Sequence, residues 1–395
     1  MHILLLPSWY PKNPTDVGGV FFRDQALALH QHGHRVGVIA PSLRSLRTLG
    51  QRRTEAALPD CENDNGILTY RKEVVALFPR LPYGTYWSFK CAARALLNRY
   101  VKENGRPDIL HAHAAIFGGA AGAELAAEFN IPLVLTEHST GFARDAYTGW
   151  QLKLAEAAMA RAGSCVAVSP SLATLLTDKF PLSGANWKWI PNVVADRFLT
   201  SNRMPEDNLR PIRFLNLALM SEKKGQRDLL EAFSKLAEGV EAVELWLAGD
   251  GPLRPELEDI AANSGLLEKV RFLGLVEPGE VPGLLGEVDV MVVSSHYETF
   301  GVVAAEALMA GLPVVATRCG GPECIVEEGD GLLVPPKDPE ALFKAMSEIM
   351  EDLPRYDPQL IAHRARERFS SNAVARKLSD EYESVINSAH SRAPV

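Results

Sequence analysis

One rhythm constrains this chain more than any other feature: short apolar runs alternate with amphipathic stretches, and the scheme is played through twice. In the first half the runs lie at 2–6, 35–40, 67–71, 108–111, 133–136 and 165–169, with helical patterns such as 20–32, 86–102 and 119–129 between them. In the second half they lie at 212–218, 243–248, 270–274, 288–293, 313–317 and 331–334. Helices are expected there at 226–236, 253–262, 278–285, 302–310 and 339–350. The runs are rich in Val, Ile and Leu and lack clean polar alternation, as strands buried on both faces of a parallel sheet do. Strands that alternate with helical patterns specify an α/β fold. Between the halves, residues 200–211 are polar, contain Pro205 and Pro211 and have no periodicity, so they read as a connection. The expected layout is a Rossmann-like domain over 1–195, a linker over 196–211, a second Rossmann-like domain over 212–370 and a final helix within 371–395. In that last segment Val374, Leu378, Tyr382 and Val385 recur at helical spacing.

Composition narrows the class. The 395 residues are 47% hydrophobic and 23% charged, as in ordinary globular proteins. No apolar run approaches the ~20 residues that a spanning helix needs. Pro7 stops the run at 2–6 and no basic region precedes it, so it reads as a first strand rather than a signal peptide. The five cysteines, Cys61, Cys91, Cys165, Cys319 and Cys324, include no C-x-x-C pair. Their pattern points to a reducing, cytoplasmic setting and away from a disulfide framework or a zinc site. The net charge of −8 is uneven, because residues 1–200 carry 21 Lys and Arg against 16 Asp and Glu. A basic first half suits an anionic partner there, such as a membrane surface or an acidic acceptor; it also fits mere unevenness of surface charge.

In an open α/β sheet, ligands sit outside the carboxyl ends of the strands, so chemistry is to be sought in the loops that follow them. The most informative segment runs from Val292 to Ala316 and reads strand, loop, helix, turn, strand. Glu298 and Thr299 lie in the loop, Phe300, Gly301 and Val302 open the helix, and Glu306 stands midway along it. A helix start offers unpaired N–H groups and a positive dipole end, both suited to a diphosphate. Glu306 falls five residues after Gly301, roughly 8 Å along the axis, an offset that separates a ribose diol from phosphates. Glu298 precedes the helix and would face a sugar, for which a carboxylate is a good acceptor. Two glutamates eight apart also fit a salt-bridged helix beside a solvated loop; the Phe-Gly between them and Gly311-Leu-Pro313 after them count against that reading.

This segment resembles the E-x7-E signature of retaining glycosyltransferases, above all family 4 of the GT-B fold. Leu247-Ala-Gly-Asp-Gly-Pro-Leu253, Val270-Arg-Phe-Leu-Gly274, Ala316-Thr-Arg-Cys-Gly-Gly-Pro-Glu323, Asp330-Gly-Leu-Leu-Val334 and Lys224-Gly225 extend the likeness over nearly all of 212–346. The resemblance implies two Rossmann-like domains facing across a central cleft, with a C-terminal helix crossing back to the first. It implies that Glu298 binds donor-sugar hydroxyls, Glu306 the ribose and Lys224 the diphosphate, while backbone near Leu275 and Val276 holds the base. One departure stands out: Leu219 occupies the place where the family usually has a phosphate-binding Arg. Lys223 lies nearby, but a Lys does not reproduce a bidentate guanidinium clamp.

In the first half, Gly18-Gly19 stands in a strand-to-helix loop and resembles the family's glycine loop, which approaches the diphosphate. It is not a dinucleotide fingerprint, since G-x-G-x-x-G is absent. Glu137-His138 follows a strand, and the resemblance places His138 near the donor sugar; a structural histidine is the competing reading. His111-Ala-His113 is expected to line the cleft or the acceptor side, two histidines being too few for a metal. Phe78, Tyr83, Tyr86, Trp87 and Phe89 precede Lys90, Arg94, Arg99 and Lys102, with Arg44, Arg47, Arg52 and Arg53 not far away in sequence. Such a stretch suits an anionic membrane surface or an acceptor, or equally a core helix with a basic outer face.

The resulting expectation is transfer of a hexose-type sugar from a UDP- or GDP-sugar to a saccharide or lipid-linked acceptor. Retention at the anomeric carbon, with no metal and no other cofactor, is what the family implies. The chain would be cytoplasmic, peripheral to the membrane at most, with no nucleic-acid partner. The alternatives are a GT-B nucleotide-sugar epimerase, a dinucleotide-binding oxidoreductase and an inactive sugar-nucleotide sensor.

Overall fold

The computed structural model describes residues 1–13, 16, 18–44, 59–76, 81, 83–200 and 210–391. The chain forms two compact units, Met1–Val193 with Ser371–Val395, and Val194–Ser370.

The first unit is built on an eight-stranded sheet of β1 (His2–Pro7), β2 (Arg35–Arg44), β3 (Cys61–Asp64), β4 (Ile67–Val75), β5 (Ile109–His113), β6 (Leu133–Glu137), β7 (Ser164–Ala167) and β8 (Trp187–Trp189). The order is β3-β4-β2-β1-β5-β6-β7-β8. Every pairing is parallel except β3 with β4, an antiparallel hairpin turned by Asn65-Gly66, a pair that favours the tight turn joining twisted strands. The helices are α1 (Val20–Gln31), α2 (Gly84–Asn104), α3 (Ala120–Phe129), α4 (Gly149–Arg161) and α5 (Pro170–Lys179). Because β1 pairs with β2 on one side and β5 on the other, the chain reverses its winding at β1. The crevice of this unit therefore opens at the carboxyl ends of β1 and β5.

The second unit carries β9 (Ile212–Leu217), β10 (Val243–Ala248), β11 (Val270–Gly274), β12 (Val290–Val293), β13 (Val314–Thr317) and β14 (Gly331–Val334), in the order β11-β10-β9-β12-β13-β14. All five pairings are parallel. Around them lie α6 (Gln226–Gly239), α7 (Arg254–Asn263), α8 (Val281–Gly286), α9 (Val302–Met309), α10 (Pro339–Glu351) and α11 (Pro358–Phe369). Winding reverses between β9 and β12, so the loops after those two strands flank this unit's crevice. Every residue of β12 and β13 is buried, so both faces of these strands are covered, as parallel strands require.

The last helix, α12 (Ser371–Ser391), belongs to the first unit. Its Val374, Leu378, Tyr382 and Val385 are buried in the core formed by β1, β2, β6 and α1. Within 196–211, Asp196–Thr200 forms a 3₁₀ turn in which Phe198 is buried. Residues 201–209 lie outside the described ones.

Candidate functional site

The loop after β9 and the loop after β12 meet at the switch point of the second unit. Gly225 makes this approach feasible. Its φ is +64°, and a Cβ there would stand 2.1 Å from the Ser294 carbonyl oxygen. Three further contacts clip the loops together. The His296 N–H donates to the Lys223 carbonyl at 2.7 Å, Ser294 Oγ donates to the Lys224 carbonyl at 2.9 Å, and His296 Nε2 lies 2.7 Å from Asp228 Oδ2. The consequence is that Lys224 Nζ donates to Glu298 Oε1 at 2.5 Å, and Ser295 Oγ donates to the same oxygen at 2.8 Å. Only 18% of the lysine side chain and 11% of the glutamate side chain are exposed. At such burial an ion pair is weakly screened, and breaking it from one side leaves an uncompensated charge.

The backbone of Glu298 is fixed as well. Its N–H donates to the Cys319 carbonyl at 3.0 Å, and its own carbonyl accepts from Gly321 N–H at 2.9 Å. Phe300 is buried edge-on against Phe369, which anchors the turn into α9. Gly301 caps α9 in the left-handed conformation, φ +92°, a geometry that glycine adopts without Cβ strain. Thr299 is buried, while Val302 and Glu306 are half-buried. The helix start therefore adjoins Lys224 and Glu298, with Glu306 further along the same helix.

Next to this loop pair, the ends of β9, β10 and β11 are stitched to one another. Met220 N–H donates to the Asp250 carbonyl at 2.9 Å and Gly249 N–H to the Gly274 carbonyl at 2.7 Å. Leu275 is 74% exposed and Val276 half-buried after β11. Leu219, where an Arg was expected, is 56% exposed. Lys223 is half-buried close by.

In the first unit, Gly18 N–H donates to Asp16 Oδ1 at 2.9 Å and Gly19 caps α1. His138 does not stand alone after β6. His111, His113 and His138 are buried and pack with Phe22 and half-buried Phe21. His113 Nδ1 lies 3.1 Å from His138 Nε2. Burial lowers the pKa of His111 and of His138 to about 3, and that of His113 well below its ordinary value. All three are neutral at pH 7. The expectation that His111 and His113 line a cleft is corrected, because neither is exposed. Their alternation in β5 does not reveal this, since Tyr382 of α12 lies against His111 and Phe22 of α1 against His113. The Tyr382 hydroxyl and the Gln25 amide both face His111 Nδ1, at 2.7 and 3.4 Å, which puts the proton on Nε2, 2.7 Å from Thr136 Oγ1. Among the described residues, no group of three or more His, Cys, Asp or Glu is arranged to hold a metal.

Sequence reasoning passed over Glu137, named only as His138's neighbour. Its buried carboxylate accepts from the N–H groups of Ala115, His138 and Ser139 at 2.7, 2.8 and 2.6 Å, so it ties the loop after β5 to the loop after β6. Burial nevertheless raises its pKa, outweighing the three hydrogen bonds. A full-length acid directly before a histidine at a strand end was the available signal.

The aromatic-basic stretch divides. Tyr86 and Phe89 are core residues, whereas Leu81, Tyr83 and Trp87 are exposed. Lys90, Arg94 and Arg99 pair with Glu124, Glu128 and Glu103. Phe78, Arg47, Arg52 and Arg53 lie outside the described residues. No helix among the described residues is long and apolar enough to cross a membrane.

Residues 18–197 match the family model described as glycosyltransferase family 4, and residues 211–352 the model described as glycosyl transferases group 1. A glycogen synthase of Mycobacterium tuberculosis is 31% identical over 277 residues, covering 68% of this chain and 65% of the synthase, so the match spans just under two thirds of that relative. An uncharacterized glycosyltransferase of Methanocaldococcus jannaschii is 29% identical over 372 residues, 89% of this chain and 90% of that protein. Among solved structures, the sucrose-phosphate synthase of Thermosynechococcus elongatus superposes with a TM-score of 0.77 at 21% identity, covering 98% of this chain and 100% of that one. HepE of Anabaena, solved with UDP, superposes with a TM-score of 0.70 at 21% identity, covering 97% and 100%.

Proposed function

The chain belongs to the family 4-like glycosyltransferases with the GT-B fold, and on that footing we propose that it moves a hexose-type sugar from a nucleoside diphosphate sugar to a saccharide or lipid-linked acceptor, with retention at the anomeric carbon. The observation that carries the reading is the convergence of Lys224, Glu298 and the start of α9 at the switch point of the second unit. The donor's diphosphate takes Lys224 and the first amides of α9, its ribose takes Glu306, and its sugar hydroxyls take Glu298. Backbone at Leu275 and Val276 holds the base.

Charge builds on the leaving diphosphate as the glycosidic bond breaks. A preset ammonium and preset amides stabilise that charge without reorganising, which is how such groups lower a barrier. The same groups make a metal unnecessary in this reading, so chelation by EDTA is expected to leave turnover intact. His138 is neutral at pH 7, which suits a hydrogen-bonding role and not that of a proton carrier. HepE bound to UDP supports a uridine donor as the first to test. Exposed Leu81, Tyr83 and Trp87 are the face on which a lipid-linked acceptor or peripheral membrane contact is to be sought. The epimerase and oxidoreductase alternatives gain no support from the family matches.

The test is nucleoside diphosphate release across a panel of UDP-, GDP- and ADP-sugars, with and without saccharide acceptors. Acceptor-dependent release from one donor is expected. Conversion of the donor with no acceptor present would favour the epimerase instead.

A further inference from the structure

The two side chains assigned to different parts of the donor are bonded to each other. Lys224 Nζ donates to Glu298 Oε1 at 2.5 Å, and Ser295 Oγ donates to the same oxygen at 2.8 Å. Both charges are largely buried, and the clips at Gly225, Ser294 and His296 hold the two loops in place around them. An anion that draws the ammonium away from the carboxylate therefore takes the glutamate's cation from it.

We propose that the Lys224–Glu298 pair is a latch that favours intact donor over nucleoside diphosphate product; this rests on the diphosphate and sugar roles given above. An intact donor supplies a new partner to each charge, phosphate oxygens to the ammonium and sugar hydroxyls to the carboxylate. A free nucleoside diphosphate supplies only the first. It leaves a buried carboxylate without its cation and beside a polyanion, an arrangement that costs the full desolvation of an unpaired charge. The penalty falls on the product and not on the substrate. Glu298 is thereby a specificity-determining residue that promotes product release as well as a sugar ligand.

The test is calorimetric titration of the full chain with UDP, GDP and ADP, followed by the tightest of the three with Glu298→Gln, Lys224→Ala and the double variant. Glutamine keeps the shape and removes the competing charge-assisted bond, so Glu298→Gln is expected to bind the diphosphate about tenfold tighter while transfer falls. Lys224→Ala is expected to bind it weaker, and in that background the glutamine is expected to add nothing. Equal gain in both backgrounds would mean general charge repulsion and would overturn the latch. If Glu298→Gln binds no tighter while Lys224→Ala binds weaker, the latch is overturned and the donor site stands. If Lys224→Ala binds like the parent chain, both fall. Should the glutamine variant fail to fold, Glu298→Asp, which withdraws the carboxylate by one methylene, is expected to gain a few-fold, and no gain there overturns the proposal equally.

Discussion

His111, His113 and His138 show how a residue's surroundings decide its chemistry. The three imidazoles are buried among Phe21, Phe22, Tyr382 and one another, and burial lowers the pKa of each far below its ordinary value. In the unfolded chain each would take a proton near pH 6.5. Between that pH and the folded values the unfolded state binds more protons, so stability is lost as pH falls and rises with pH. Each histidine contributes up to about 1.4 kcal/mol per pH unit below 6.5. The melting temperature is therefore expected to drop between pH 6.5 and 5, above the range where most carboxylates protonate; a flat profile there would show that the three rings are not buried together. A strand pattern does not disclose this, because the cover over β5 arrives from a helix some 270 residues later: Tyr382 lies 271 residues from His111.

The last helix makes that cover. Its apolar residues are spaced so plainly that the sequence predicts it without help, and Tyr382 falls on the predicted face. What the spacing does not predict is that Tyr382 also bonds His111 at 2.7 Å in the core. Tyr382→Phe keeps the packing and deletes that bond, at an expected cost of about 1 kcal/mol in urea unfolding, with nucleotide binding unchanged. Unaltered stability would mean that the hydroxyl contributes nothing net. Other elements were less legible. Helix α4 is polar and Ala-rich and buries only Ala155, Ala158 and Met159, too few to mark an apolar face. Helices α5 and α11 carry Ser169-Pro170 and Asp357-Pro358 at their starts, a capping signal that outlasts weak periodicity. Strands β3 and β8 are short edges of four and three residues, below the length at which a pattern is distinguishable. The loop after β12 was readable as residue types, but its contact with Lys224 joins positions 74 apart and exists only because Gly225 admits the neighbouring backbone.

At the scale of the whole molecule, two parallel sheets each reverse their winding once, and in both the candidate residues gather at that reversal: Gly18, Gly19 and His138 around β1, β5 and β6, and Lys224, Glu298 and Glu306 around β9 and β12. Topology thus marks where ligands sit in such sheets before any side chain is considered. The central claim is that a nucleotide's diphosphate settles on the second of these reversals. A crystal structure of the chain with the tightest-binding of UDP, GDP and ADP tests it most directly. Phosphate oxygens are expected at hydrogen-bond distance, about 3 Å, from Lys224 Nζ and the first amides of α9, with ribose hydroxyls at Glu306 and Glu298 parted from Lys224. A nucleotide bound elsewhere, with Lys224 and Glu298 still joined, would contradict it.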